Sequence, residues 1–131
     1  MRLGIPMKSI PLCVAGALVF SLSVSTASAG DLIKCERRTN PARSKIRVEA
    51  ENLLSGAMYS ATVFSAGGSA LAWGAADPAG KVHFEYDSNP NNILAGATAI
   101  NANFVVNQAS TTVTDAMGNP VASGSAACKV K

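Results

Sequence analysis

From residue 81 to residue 87 the chain alternates without a break: Val82, Phe84 and Tyr86 are apolar, and Lys81, His83, Glu85 and Asp87 are polar. A period of two marks a strand with one face on a core and the other in water, and this is the clearest strand along the chain. Residues 45–51 repeat the pattern, with Ile46, Val48 and Ala50 on one side and Lys45, Arg47, Glu49 and Glu51 on the other. In residues 57–65, Tyr59, Ala61 and Val63 face one way and Met58, Ser60, Thr62 and Phe64 the other. Weaker runs complete the set: 32–37 with Ile33 and Cys35 on one face, 71–75 around Trp73, and 98–106 with a bend near Asn101 or Asn103. Residues 111–114 and 121–130 flank Met117, Gly118, Asn119 and Pro120 as a terminal hairpin. Asn40 with Pro41, residues 52–56, Gly67 with Gly68 and Ser69, residues 77–80 and the polar loop 88–92 supply the turns between them. The rhythm predicts an all-β fold, a seven- or eight-stranded antiparallel β-sandwich.

The first 29 residues read differently. Arg2 and Lys8 precede an apolar stretch from Ile10 to Phe20, and Ala27, Ser28 and Ala29 form a small-x-small pattern before Gly30. Together these are the three regions of a secretory signal. The stretch, broken by Pro11 and Gly16, falls short of the 20 or so apolar residues that span a bilayer. The expectation is therefore a cleaved signal peptide over residues 1–29, a single β-sandwich domain over 30–131, no stable membrane anchor, and a secreted or periplasmic location. Cys13 leaves with the signal, since Leu12 rather than a small residue precedes it.

Export decides how the cysteines are read. In an oxidising compartment Cys35 and Cys128, near opposite ends of a domain of about 100 residues, are expected to form a disulfide. Closing so long a loop stabilises the fold by roughly 4 kcal/mol in the chain-entropy picture, and it requires the first and last strands to lie side by side or face to face.

Leu53, Gly56, Tyr59, Ala61 and Val63, within NLLSGAMYSATV, resemble the Leu-x-x-Gly-x-x-Tyr segment of fibronectin type III and related immunoglobulin-like domains. The resemblance implies a tyrosine corner, in which the Tyr59 hydroxyl bonds backbone a few residues upstream. Many more residues follow Tyr59 than the two or so strands that follow this segment in fibronectin type III domains, a departure from the pattern that leaves two readings: a different topology, or Tyr59 as simply a core residue. The resemblance is silent on function, because such folds host many.

Charge changes the picture little in sum and more in distribution. The chain has 11 Lys and Arg against 8 Asp and Glu, and loss of Arg2 and Lys8 leaves the remainder close to neutral, with no case for a nucleic-acid partner. Lys34, Arg37, Arg38, Arg43, Lys45 and Arg47 nevertheless cluster. Such a cluster can meet phosphate, anionic lipid or acidic glycan; the plainer expectation is the wet side of an edge strand, where cations discourage aggregation.

Candidate chemistry is sparse. Asp87, Asn89 and Asn91 stand at the alternate positions of oxygen ligands in a calcium loop, but Thr98 occupies the place of the bidentate Glu and Pro90 stiffens the middle. His83 is the one histidine, on the polar side of its strand with Glu85, and no nucleophile-elbow motif accompanies it. Glu49 and Glu51 share a strand face without aromatic platforms for a sugar. No cofactor is implied. Phe64 and Trp73 are expected to be buried between the sheets; exposed together, they would be the best contact patch.

The sequence therefore predicts a non-catalytic exported domain acting in surface recognition or as a structural part of an envelope or extracellular assembly, its partner an unidentified protein or glycan. Arg37, Arg38, Arg43, Lys45, Arg47, Phe64 and Trp73 are the candidate contact residues. The alternative is a small carrier of calcium or an anionic glycan, and the third reading a secreted hydrolase that depends on His83.

Overall fold

The computed structural model describes residues 32–66 and 68–131. The expected signal peptide, its cleavage site, Cys13 and Gly67 lie outside these residues. Strands β1 (Ile33–Thr39), β2 (Ala42–Ala50), β3 (Met58–Ser65), β4 (Gly68–Ala75) and β5 (Val82–Asp87) are followed by a short helix α1 (Pro90–Leu94). Then come β6 (Thr98–Ala99), β7 (Gln108–Asp115), β8 (Pro120–Ala127) and β9 (Lys129–Val130). They form two sheets of order β6-β5-β2-β1-β9 and β4-β3-β7-β8. The fold is an all-β sandwich. Its seven long strands pair antiparallel, while the two-residue strands β6 and β9 join β5 and β1 in parallel.

Alternation decides which side chains the two sheets share. In the first sheet Cys35 pairs with Ile46 and Ile46 with Tyr86, while Ile33 pairs with Val48 and Val48 with Phe84, all buried. In the second, Ala61 stands between Ala72 and Val113, and Val63 pairs with Thr111. Two such faces packed about 10 Å apart make one core. The Tyr86 hydroxyl crosses it to donate to the Ala61 carbonyl, and burial pushes its pKa well above the ordinary phenol range. Tyr59 forms the corner that its sequence context implies: its hydroxyl accepts from the Leu54 amide at 3.0 Å. This corner closes the link between β2 and β3, where the chain passes from the first sheet to the second.

A Cys35–Cys128 disulfide ties β1 to the point between β8 and β9 where the chain returns to the first sheet, and β9 then pairs beside β1. First and last strands are thus neighbours.

Two expectations change. The strand expected over 98–106 is reduced to β6, because the Asn101 side chain accepts from the Asn103 amide at 2.8 Å and turns the chain. Beyond that turn Ser44, fully buried, donates to the Ala102 carbonyl and accepts from the Val105 amide, seating Phe104 and Val105 in the core. The polar loop expected at 88–92 holds the start of α1: Asn89 accepts from the Asn91 amide as N-cap and Pro90 opens the helix. At the turn before β5, Gly80 has φ +80, and a Cβ there would stand 2.6 Å from the Leu53 carbonyl oxygen. Only glycine fits where this turn bonds the corner through Leu53 N–H to Gly80 O.

Candidate interaction surface

The two sheets have opposite surfaces. On the outer face of the first, β1, β2 and β5 present Lys34, Glu36, Arg38, Arg43, Lys45, Arg47, Glu49, His83 and Glu85 in alternation with the core residues. The strands of the second sheet carry one charged residue, Asp115, at the end of β7.

The basic cluster therefore lies on β1 and the central strand β2, not on an edge strand, and carboxylates interleave it. Arg43 pairs with Asp87, Arg47 with Glu85 at 3.4 Å, and Lys131 with Glu36 at 3.7 Å. Lys45 stands opposite Glu36 across the β1–β2 ladder. Arg38 is exposed and Arg37 half-buried at the end of the sheet. The exposed pairs of Arg47 and Lys131 contribute little to stability but offset the local field, so the cluster is a mixed-charge face, even though Lys34 stands opposite Arg47 and Arg38 opposite Arg43.

Asp87 is the centre of a closed network. Its Oδ1 accepts from Arg43 Nε at 3.0 Å and the Asn89 amide at 2.9 Å, and its Oδ2 accepts from Arg43 Nη2 at 2.8 Å and Asn92 Nδ2 at 2.7 Å. Both oxygens that a calcium ion would need are occupied by donors. Asn89 spends its carbonyl on the Asn91 amide, and Thr98 lies in β6. A cation bound here would have to displace a bidentate arginine. His83 is exposed beside Glu49 on the charged face. Among the described residues, no three of His, Cys, Asp and Glu come together as a metal-binding group, and no helix is long and apolar enough to cross a membrane.

Phe64 and Trp73 are exposed, 45 % and 59 %, on the outer face of the second sheet. The expected burial of Trp73 between the sheets fails for want of room. A Cβ at the adjacent Gly74 would already touch Phe84 at 3.4 Å and Val82 at 3.5 Å, ordinary contact distances that leave space for a methyl but not for a ring, and the inward side of β4 carries the small Ala70, Ala72 and Gly74. The bulky Leu71 and Trp73 must face out. The structure places these rings on one face of the sandwich and the arginines on the other, so the candidate contact residues do not share a surface.

Phe64 and Trp73 gain different company. The ladder sets Trp73 beside Ser60, Leu71 beside Thr62 and Ser69 beside Phe64, so Leu71 bridges diagonally between the two rings, and exposed Met58 extends the stripe. Hydroxyls continue it across the sheet: Thr62 pairs with Thr112, which in turn pairs with Ser123, and Phe64 pairs with Ser110, which in turn pairs with Ser125. Single exposed apolar residues are ordinary, but four on neighbouring positions of two strands, with no charge among them, make a patch. Beside Phe64 a cleft of about 370 Å³ opens between Ser65, Ala66, Val106 and Gln108. Its backbone wall is fixed by Ser65 Oγ, which donates to the Gln108 carbonyl and accepts from the Val106 amide.

The signal for this surface was present in the sequence as 25 residues' worth of uncharged chain between Glu51 and Asp77, and as the alternation of small with large side chains in β4. No family model, curated protein or solved structure matches the chain.

Proposed function

We propose that this protein is a non-catalytic, exported β-sandwich of immunoglobulin-like type that works by surface recognition, or as a structural part of an envelope or extracellular assembly, through the outer face of β3 and β4. One observation carries the reading: among the strands, charge is confined to one sheet but for Asp115, and the other sheet exposes Met58, Phe64, Leu71 and Trp73 in a stripe backed by Ser and Thr hydroxyls. An uncharged, partly aromatic face flanked by hydroxyls has the make-up of a contact surface that excludes water at its centre and hydrogen-bonds at its rim. A domain whose role was solubility alone would be expected to spread its charges over both faces.

Export is supported by the signal-like N-terminal sequence and by a disulfide that closes the domain. The immunoglobulin-like assignment is supported by the tyrosine corner and by strand order. Among the seven long strands, the first, second and fifth share one sheet and the third, sixth and seventh the other, as in immunoglobulin domains. Here the fourth strand joins the second sheet, and the corner sits before the third strand.

Retention of envelope or extracellular components by the immobilised protein tests the proposal. Trp73→Ser with Leu71→Ser is expected to abolish retention, while Lys45→Ser with Arg47→Ser leaves it unchanged. Retention that followed the charged face instead would overturn the reading.

A further inference from the structure

The sandwich has four sheet edges. In the first sheet the two-residue strands β6 and β9 cover Tyr86 and Asp87 of β5 and Glu36 and Arg37 of β1, and the uncovered stretches of those strands carry the charged or polar Lys34, His83 and Glu85. In the second, β8 starts at Pro120, is irregular where Val113 gives way to Thr114, and runs along β1 beside the Cys35–Cys128 bond. The fourth edge is β4. It is eight residues long, paired with β3 in unbroken register, and has neither charge, proline nor bulge. Among the described residues no strand pairs with its far side, and such a strand offers a row of backbone N–H and C=O groups that natural proteins ordinarily blunt.

We propose that β4 pairs antiparallel with β4 of a second copy of this chain about a two-fold axis through Ala72, joining two four-stranded sheets into one of eight. The strand is self-complementary in that register. Leu71 falls opposite the second copy's Trp73, and Trp73 opposite its Leu71, giving two adjacent aliphatic–aromatic cross-strand pairs on the outer face. On the core side Ala70 falls opposite Gly74 and Ala72 opposite its own copy, so no large side chain meets another there, and on the outer face Ser69 falls opposite Ala75. Because the paired positions have equal parity, both copies keep the same face outward, and their Met58 and Phe64 stripes merge into one surface. The absence of charge on β4 removes the repulsion that two identical charged strands would suffer, and reciprocity of every contact is what a two-fold interface requires. The proposal rests on the uncharged sheet that carries the recognition reading, and it names the partner of that sheet's edge.

Trp73 is the chain's sole tryptophan, so association and its location can be read together. Sedimentation equilibrium of the protein with its disulfide intact is expected to show a monomer–dimer equilibrium in the micromolar range, with Trp73 emission moving to shorter wavelength as dimer forms. Leu71→Lys with Trp73→Lys, which sets lysine against lysine, is expected to raise the dissociation constant about 100-fold or more. Val130→Lys, on the opposite side of the sandwich, is expected to leave it unchanged. Circular dichroism and thermal midpoints matching the parent confirm that both variants fold. A protein that stays monomeric, or a dimer that survives the double lysine variant, overturns the proposal. A monomer whose retention of envelope components still depends on Trp73 and Leu71 overturns self-pairing alone and leaves the recognition reading standing.

Discussion

Arg43 holds Asp87 by two parallel bonds, Nη2 to Oδ2 at 2.8 Å and Nε to Oδ1 at 3.0 Å, with the Asp87 side chain 2 % exposed. The pair joins the start of β2 to the end of β5, and the Asn89 and Asn92 bonds extend it to α1. Burial alone would raise the acid's pKa, but the bonds from Arg43, Asn92 and the Asn89 amide outweigh burial and hold it at about 2, against 3.8 for a free side chain. A depressed folded-state pKa stabilises the fold above pH 3.8, and that contribution is lost as pH falls through 2. Its size is about 2 kcal/mol. Urea unfolding at pH 7, 4 and 2 is expected to show that loss, and Asp87→Asn to show a flatter acid limb. Arg43→Ala, which strands a buried carboxylate, is expected to destabilise the protein at pH 7 by about 3 kcal/mol.

Tyr59 and Tyr86 use their hydroxyls differently from their rings. The rings fill the core, while the hydroxyls bond Leu54 N–H and Ala61 C=O. Tyr59→Phe and Tyr86→Phe preserve ring volume and delete one bond each, so each is expected to cost about 1 kcal/mol. Chemical denaturation that finds Tyr59→Phe neutral would show that the corner hydroxyl adds nothing to the ring's packing.

The alternating segments were legible because a half-wet strand writes its orientation into the sequence. Ile46, Val48 and Ala50, Tyr59, Ala61 and Val63, and Val82, Phe84 and Tyr86 all face the core as their period predicts. Residues 100–107 were not legible, since Phe104 and Val105 are apolar and buried yet held by the Ser44 hydroxyl rather than by a ladder. Of the contact surface, the outward face of β3 could be read from its alternation. The orientation of β4 could not be read from Trp73 alone, because hydrophobicity favours burial and only the bulk of Phe84 and Val82 across the sandwich reverses it. Nor does local sequence reveal that Lys45 stands opposite Glu36 of β1 and Arg47 opposite Glu85 of β5, which is a property of register.

The disulfide spans 93 positions of sequence. Cys35→Ser with Cys128→Ser is expected to lower stability by about 4 kcal/mol, chiefly by releasing the unfolded chain. Equilibrium denaturation checks the magnitude, and titration under denaturing conditions is expected to find no free thiol at either position in the parent.

Trp73 and Gly74 are neighbours in sequence and opposites in setting, one outside the sandwich and one against Phe84 and Val82. Trp73→Ser, measured at concentrations where the protein is monomeric, removes a ring that packs largely against water and is expected to change stability by less than about 0.5 kcal/mol. Gly74→Leu adds four carbons where a single Cβ already lies 3.4 Å from Phe84, and is expected to destabilise by about 3 kcal/mol through overpacking. The contrast bears on the face of β4 directly, because a slip of one residue along β3 would exchange the two environments. Urea midpoints of the two variants therefore decide it: a costly Trp73→Ser beside a neutral Gly74→Leu would place the ring inside and remove the contact surface with it.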